Sequence, residues 1–398
     1  MPHLSLISEE CMRIPATRSL LLILLLLNGA CLPGRTPGRQ PESARNIILF
    51  IGDGMGAEHR TAATWMQHGP EGRLAMDGLA ISGWADTLNH AGEVTDSAAA
   101  ATALATGVRT LNGRLGLDAE GRPLPTILQR AQQQGKSVGL VTTTPVTHAT
   151  PAAFAARALS RREADNIATQ LAEANLDVLL GGGESDFLPP EETGCHPQPG
   201  RRRDGRNLID ELRRQGVRQV CSADQLAALE WSAGDRVLGL FADGGLVRPF
   251  APSLAEMTGA AIAMLAANPR GFFLMVEGGQ IDWASHDNDA VHAIGDTLGL
   301  DEAVRVALEF AAGRSDTLII VTADHETGGM ELQRPTPGSA DADCLFVMPD
   351  GASFCVTWTS KDHTHRPVPT TAEGPGSRRL RDRHHLTHIH DVMEQVMR

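Results

Sequence analysis

The chain has 398 residues, a length that accommodates one large α/β unit or two domains. Its 35 Lys+Arg against 48 Asp+Glu leave a net charge of -13, which excludes a protein whose main task is coating nucleic acid or an anionic membrane. With 41 Gly, no Tyr and 4% aromatic residues, the core must be built from Ala, Leu, Val and Ile, as in a sheet covered by helices on both faces.

The first segment reads as an export signal. Arg13 and Arg18 precede the apolar run Leu20–Leu27, and the small residues Gly29 and Ala30 stand before Cys31. Residues 1–31 are therefore expected to be a signal peptide, with an apolar run too short to span a bilayer. Leu27-Asn28-Gly29-Ala30-Cys31 also resembles a lipobox, which would make Cys31 a lipid anchor. The chain is thus expected to be exported, either periplasmic or held to the membrane as a lipoprotein. Residues 32–45, rich in Pro, Gly and Arg, read as a linker before one domain over 46–398.

From there apolar strand-like runs alternate with helical patterns. Strands are expected at Asn46–Ile51, Ser137–Thr142, Asp177–Leu180, Val237–Phe241, Gly271–Val276 and Thr317–Thr322, each rich in Val, Ile, Leu or Phe and closed by a turn signal. Helices are expected at Ser97–Thr106, Thr126–Gln134, Ser160–Ala174, Leu254–Ala267 and Asp301–Ala312. Near-continuous apolar runs belong to strands buried on both faces, and repeated strand-then-helix order implies a mostly parallel, doubly wound sheet. Segments 181–206 and 333–357 break the rhythm and read as small surface insertions. Cys195, Cys221, Cys344 and Cys355 allow three disulfide connectivities, of which the short loops Cys195–Cys221 and Cys344–Cys355 are preferred over four inert thiols.

Ligands of open α/β sheets bind beyond the carboxyl ends of the strands. Four expected strands run into metal-type ligands: Gly52-Asp53-Gly54-Met55-Gly56, then Thr147-His148-Ala149-Thr150-Pro151, then Glu277-Gly278-Gly279, then Asp324-His325-Glu326. Each alone has a bland reading. The glycine loop could be a tight turn, since its spacing does not match a dinucleotide fingerprint. Asp282 and His286, four apart, could be an ordinary helical ion pair. Thr95-Asp96-Ser97 before an alanine-rich run could be no more than a helix cap, although a hydroxyl there also meets the orphan amides and dipole of a helix N-terminus.

Together and in this order, with Ile281-Asp282 through His286 and His363-Thr364 added, these motifs resemble the alkaline phosphatase family over most of the chain from Asn46 to about Gly376. The resemblance implies a three-layer α/β/α sandwich around a large, mostly parallel central sheet. It further implies a broad phosphate monoester hydrolase of alkaline optimum that acts through a phosphoserine on Ser97, takes phosphate monoesters and inorganic phosphate, and forms a homodimer in many relatives. Two zinc ions and one magnesium follow from it. One zinc would use Asp282, His286 and His363; the second would use Asp53, Asp324, His325 and the Ser97 oxygen; magnesium would use Asp53, Thr150 and Glu277. Arg161 falls at the phosphate-clamping position, with its neighbour Arg162 as the alternative.

His148 and Trp283 stand where some relatives carry Asp and Lys, and both are expected behind the ligands rather than among them. His365 follows His363-Thr364 and is the alternative zinc ligand, because alternation in an extended segment would point the two rings to opposite sides. The histidine-rich stretch 384–390 has no acidic partner at ligand spacing and reads as the start of a closing helix. The rivals are a phosphodiesterase or sulfatase of the same superfamily and a non-catalytic periplasmic binder of phosphate or metal. No Cys/Ser-x-Pro-x-Arg sulfatase signature surrounds Ser97, and a binder would be expected to have lost Ser97 or a ligand, none of which is missing.

Overall fold

A computed structural model describes residues 43–334 and 346–397. The expected signal peptide, Cys31 and most of the linker lie outside these residues, as does Cys344 and with it the Cys344–Cys355 pairing. Among the described residues no helix is long and apolar enough to cross a membrane.

The strands are β1 (Asn46–Gly52), β2 (Ile81–Asp86), β3 (Ser137–Pro145), β4 (Val178–Gly182), β5 (Arg218–Val220), β6 (Val237–Leu240), β7 (Phe272–Gly278), β8 (Thr317–Ala323), β9 (Glu326–Thr327), β10 (Met330–Gln333), β11 (Phe346–Val347), β12 (Ser353–Trp358), β13 (His363–Thr364), β14 (Val368–Glu373) and β15 (Arg383–His385). The helices are α1 (Ala57–His68), α2 (Ser97–Thr106), α3 (Ile127–Gln133), α4 (Ala149–Ala155), α5 (Ala164–Glu173), α6 (Leu208–Arg214), α7 (Ala223–Ala227), α8 (Leu254–Leu265), α9 (Gln280–His286), α10 (Ala290–Ala311) and α11 (Leu386–Val396).

Ten strands form one sheet in the order β15-β2-β14-β8-β1-β7-β3-β4-β6-β5. All its pairings are parallel except those of β14, which runs antiparallel to β2 and β8. The fold is therefore the expected α/β sandwich. Helices α1, α8, α9 and α10 pack on one another at one face, while α2, α3, α4 and α11 pack together at the other. Strands β1, β7 and β8 are buried along their whole length, which explains their unbroken apolar sequences.

All six expected strands are present, with ends that differ by one to three residues. Several other expectations needed correction. The helix expected over Ser160–Ala174 begins only at Ala164, so Arg161 and Arg162 sit in the turn before it. The helix expected over Asp301–Ala312 is the second half of α10, which starts at Ala290 behind an Asp289 cap. Gly295 and Gly299 weaken the local helical signal, and packing against α8 and the sheet overrides them. Segment 181–206 opens as the end of β4 and is fastened to the core by Arg202, whose fully buried guanidinium donates to the carbonyls of Asp165 and Asp186 and to Thr169 Oγ1. The Cys195–Cys221 disulfide closes it.

Candidate active site

The four central neighbours of the sheet, β8, β1, β7 and β3, are the four strands that run into ligand-type residues. Their carboxyl ends are level. Gly52 of β1 is paired with Gly278 and Ala323, and Glu277 is paired with both Ile51 and Thr142. Asp53, Glu277 and Asp324 thus emerge side by side from a common edge. The turn after β1 requires Gly54, with φ of 73°, because a Cβ there would lie 2.9 Å from the Asp282 backbone. Its amide donates to Asp324 Oδ1 at 3.1 Å, joining two strand ends 270 residues apart in sequence.

Ser97 opens α2, a fully buried alanine-rich helix that terminates at left-handed Gly107. Asp96 caps it by accepting from the Ala99 amide at 3.0 Å. Asp96 is therefore the cap, and the next residue, Ser97, places its Oγ at the dipole's positive end. That Oγ lies 3.4 Å from His325 Nε2.

Three groups of ligand atoms converge here, each within 4.8 Å: Asp282 with His286 and His363, Asp53 with Asp282 and His325, and Asp53 with His148 and Glu277. Asp53 and Asp282 each belong to two groups. Asp324 joins the second through Oδ2, 3.2 Å from His325 Nε2. His148 lies nearer the third group than expected from sequence, and its ring meets Trp283 edge-on at 5.9 Å. His365 is exposed, whereas His363 carries its Nε2 to 3.5 Å from Asp282 Oδ1. A further cluster of Glu184, Cys195 and Cys221 is spoken for, because its sulfurs form the disulfide.

Both Asp53 oxygens, Glu277 Oε1, Asp324 Oδ2, Thr150 Oγ1 and His148 Nδ1 are buried with no hydrogen-bond partner among the described residues. So many acceptors aimed into one space are costly unless protons or cations join them. Burial and the repulsion of Asp324, Asp282 and Glu277 raise Asp53 well above the carboxylate range. Burial likewise pushes Asp324 to about 6 and Glu277 to about 7, in the latter case against hydrogen bonds from Thr142. Burial would raise Asp282 too, but His286 and His363 overcome it and hold it well below the usual range. In return the Asp282 contact lifts His286 to about 9. Mutual repulsion among the carboxylates, and a site that gathers protons where it can, are the marks of a pocket suited to cations.

Arg161 donates to Asp96 Oδ2 at 3.3 Å and to His148 Nε2 at 3.0 Å, while Arg162 is exposed and makes neither contact. The residues missed from sequence are those that aim the candidate ligands. His363 Nδ1 contacts the Thr95 carbonyl at 2.9 Å, His286 Nδ1 contacts the Lys361 carbonyl, Thr327 donates to Asp282 Oδ1 at 2.6 Å, and Thr142 and Thr144 donate to Glu277. The run Thr142-Thr143-Thr144 within an apolar strand was a usable signal. The carbonyl contacts had none.

An open, mostly parallel sheet whose central strand ends carry convergent carboxylates and imidazoles defines a class: α/β proteins with a metal-type site at a topological edge. The alkaline phosphatase family model matches residues 44–344. Alkaline phosphatase 4 of Bacillus subtilis is 36% identical, over 85% of each chain. The solved structure of Thermus thermophilus alkaline phosphatase superposes with a TM-score of 0.78 at 28% identity, covering 94% of this chain and 95% of that one. A TAB5 alkaline phosphatase variant with a histidine changed to aspartate, solved with Mg bound in its M3 site, gives 0.75 at 28% identity over 90% and 99%. The chain belongs to the alkaline phosphatase family.

Proposed function

We propose that the protein hydrolyses phosphate monoesters through a phosphoserine on Ser97, with two zinc ions and one magnesium. The observation that carries this reading is the convergence of three groups of ligand-type residues beside the serine that opens α2, with buried acceptors that have no donor among the described residues. Asp282, His286 and His363 suit one zinc, and Asp53, Asp324 and His325 with the Ser97 oxygen suit the other. Asp53, Glu277 and Thr150 form an oxygen set suited to magnesium, with His148 at its edge. When bound, these ions supply Lewis acidity that lowers the serine pKa and stabilises the leaving oxygen.

The chain's own residues do the rest. Ser97 Oγ attacks phosphorus; the Oγ–P bond forms as the ester P–O bond breaks, and its electron pair leaves with the alcohol. Water then attacks the phosphoserine, phosphate departs, and Ser97 regains its proton. Arg161 is planar, always charged and anchored on Asp96, so its fork can grip two phosphoryl oxygens. That grip favours a dianionic monoester over a diester. The disulfide supports an oxidising, exported location; anchoring through Cys31 rests on the lipobox alone.

The test is turnover of aryl monoester and diester by metal-stripped and metal-restored protein, together with trapping of labelled phosphate. Restored monoesterase activity and label on Ser97, both lost in Ser97→Ala, are expected. Preference for the diester, or undiminished turnover in Ser97→Ala, would overturn the reading.

A further inference from the structure

A cleft of about 530 Å³ carries Arg162, Arg201 and Arg203 on its rim. Two connections tie it to the phosphate clamp. Arg162 follows Arg161 in the chain, its Cα about 3.8 Å away. On the other wall Asp186 accepts from Thr147, the residue before His148, whose Nε2 accepts from Arg161. Arg201 and Arg203 face the cleft because Arg202 between them is drawn into the core.

The lining also holds three carboxylates, so whole charges balance. Exposure separates them. Asp186 is buried and held by Arg201 at 2.9 Å and by Thr147. Asp165 accepts from the Arg203 amide at 3.1 Å. Glu163 accepts from the Ser160 amide and from Asn166, each at 3.0 Å. The three arginines are exposed, and the guanidinium groups of Arg162 and Arg203 have no hydrogen-bond or ion-pair partner among the described residues. Two free forks beside a phosphate clamp, over acids already engaged, form a surface for anionic oxygen.

We infer that this cleft is a subsite for a second phosphate of the same substrate molecule, so that the enzyme favours linear polyphosphate compounds over monoesters with a neutral leaving group. This rests on the phosphomonoesterase reading of Ser97, which anchors the terminal phosphate while Arg162 and Arg203 hold a distal one.

The test compares holoenzyme with the double variant Arg162→Glu, Arg203→Glu, using tripolyphosphate and an aryl phosphate as substrates. Both side chains are exposed, so folding should survive, and the aryl substrate reports on it. The expected result is a fall of about tenfold or more in kcat/KM for tripolyphosphate and less than about twofold for the aryl phosphate, with weaker salt dependence for tripolyphosphate. Equal losses on both substrates, or none on either, overturn the subsite. Calorimetric binding of tripolyphosphate in a Ser97→Ala background decides it independently of turnover. About tenfold weaker binding in the Glu variant supports it, and unchanged binding overturns it. Failure of the wild type to turn over aryl phosphate would count against the proposed function, leaving the binding result to judge the cleft.

Discussion

The Nε2 atoms of His286 and His363 lie 3.1 Å apart, each ring oriented by an Nδ1 contact to a backbone carbonyl from another part of the chain. Two imidazole lone pairs directed at one place beside Asp282 suit a cation. Without one, a proton takes that role, and His286 is lifted to about 9 by Asp282.

Metal binding should therefore release protons. The folded value of His286 lies above its ordinary 6.5, so its ion pair stabilises the metal-free protein fully below about pH 6.5 and is lost as pH rises through about 9. Zinc competes with that proton, and apparent zinc affinity should climb with pH up to about 9. Zinc titration calorimetry in buffers of different ionisation heat measures the protons released; an affinity independent of pH from 6 to 9 would contradict the assignment.

Arg161→Ala should lower kcat/KM for an aryl monoester by about 10²–10³-fold, since on the proposed function it removes a bidentate grip on the phosphoryl group. Arg161→Lys should recover only part, because an ammonium cannot reproduce the fork. Arg162→Ala should leave the same parameter within about twofold. Steady-state kinetics on the three variants separates the neighbours, and equal losses at 161 and 162 would refute the distinction drawn from their contacts.

The Cys195–Cys221 bridge spans 26 residues. Replacing both cysteines by serine should cost about 3 kcal/mol through the added freedom of the unfolded chain. Denaturant unfolding of the variant, and of native protein with and without reductant, measures this. A midpoint unaffected by either change would mean that the segment stays ordered by Arg202 alone.

His59 lies on the buried face of the first turn of α1, its Nδ1 accepting from the Gly56 amide at 3.2 Å and its Nε2 donating to Ser285 Oγ at 2.9 Å. Burial lowers it to about 3, below the ordinary 6.5. Its contribution is thus present above about pH 6.5 and lost as pH falls toward 3. His59→Gln should flatten stability against pH between about 6 and 4, by up to about 1.4 kcal/mol per pH unit. An unchanged slope would show that other groups set the acid limit.

Much of the fold was legible because the central strands are buried on both faces, so Asn46–Gly52 and Thr317–Ala323 announce themselves as unbroken apolar runs. The other edge was harder. β14 carries Pro369 and two threonines, and β15 is Arg383-His384-His385; neither has a hydrophobic signature. They are strands because β2 and β8 supply their hydrogen-bond partners.

By itself the sequence determined which residues could bear the chemistry, since Asp53, Glu277, Asp324 and His325 stand at the ends of buried strands and Asp96-Ser97 opens an alanine helix whatever surrounds it. Only the tertiary structure decided which of them meet. Strand order made β8, β1, β7 and β3 neighbours, and a turn rather than a helix aimed Arg161 at Asp96 while leaving Arg162 outside. The physical reason is range. Periodicity and capping act over a few residues, whereas Gly54 holds Asp324 across 270 positions, a contact that exists only once the sheet has brought both strand ends to one edge.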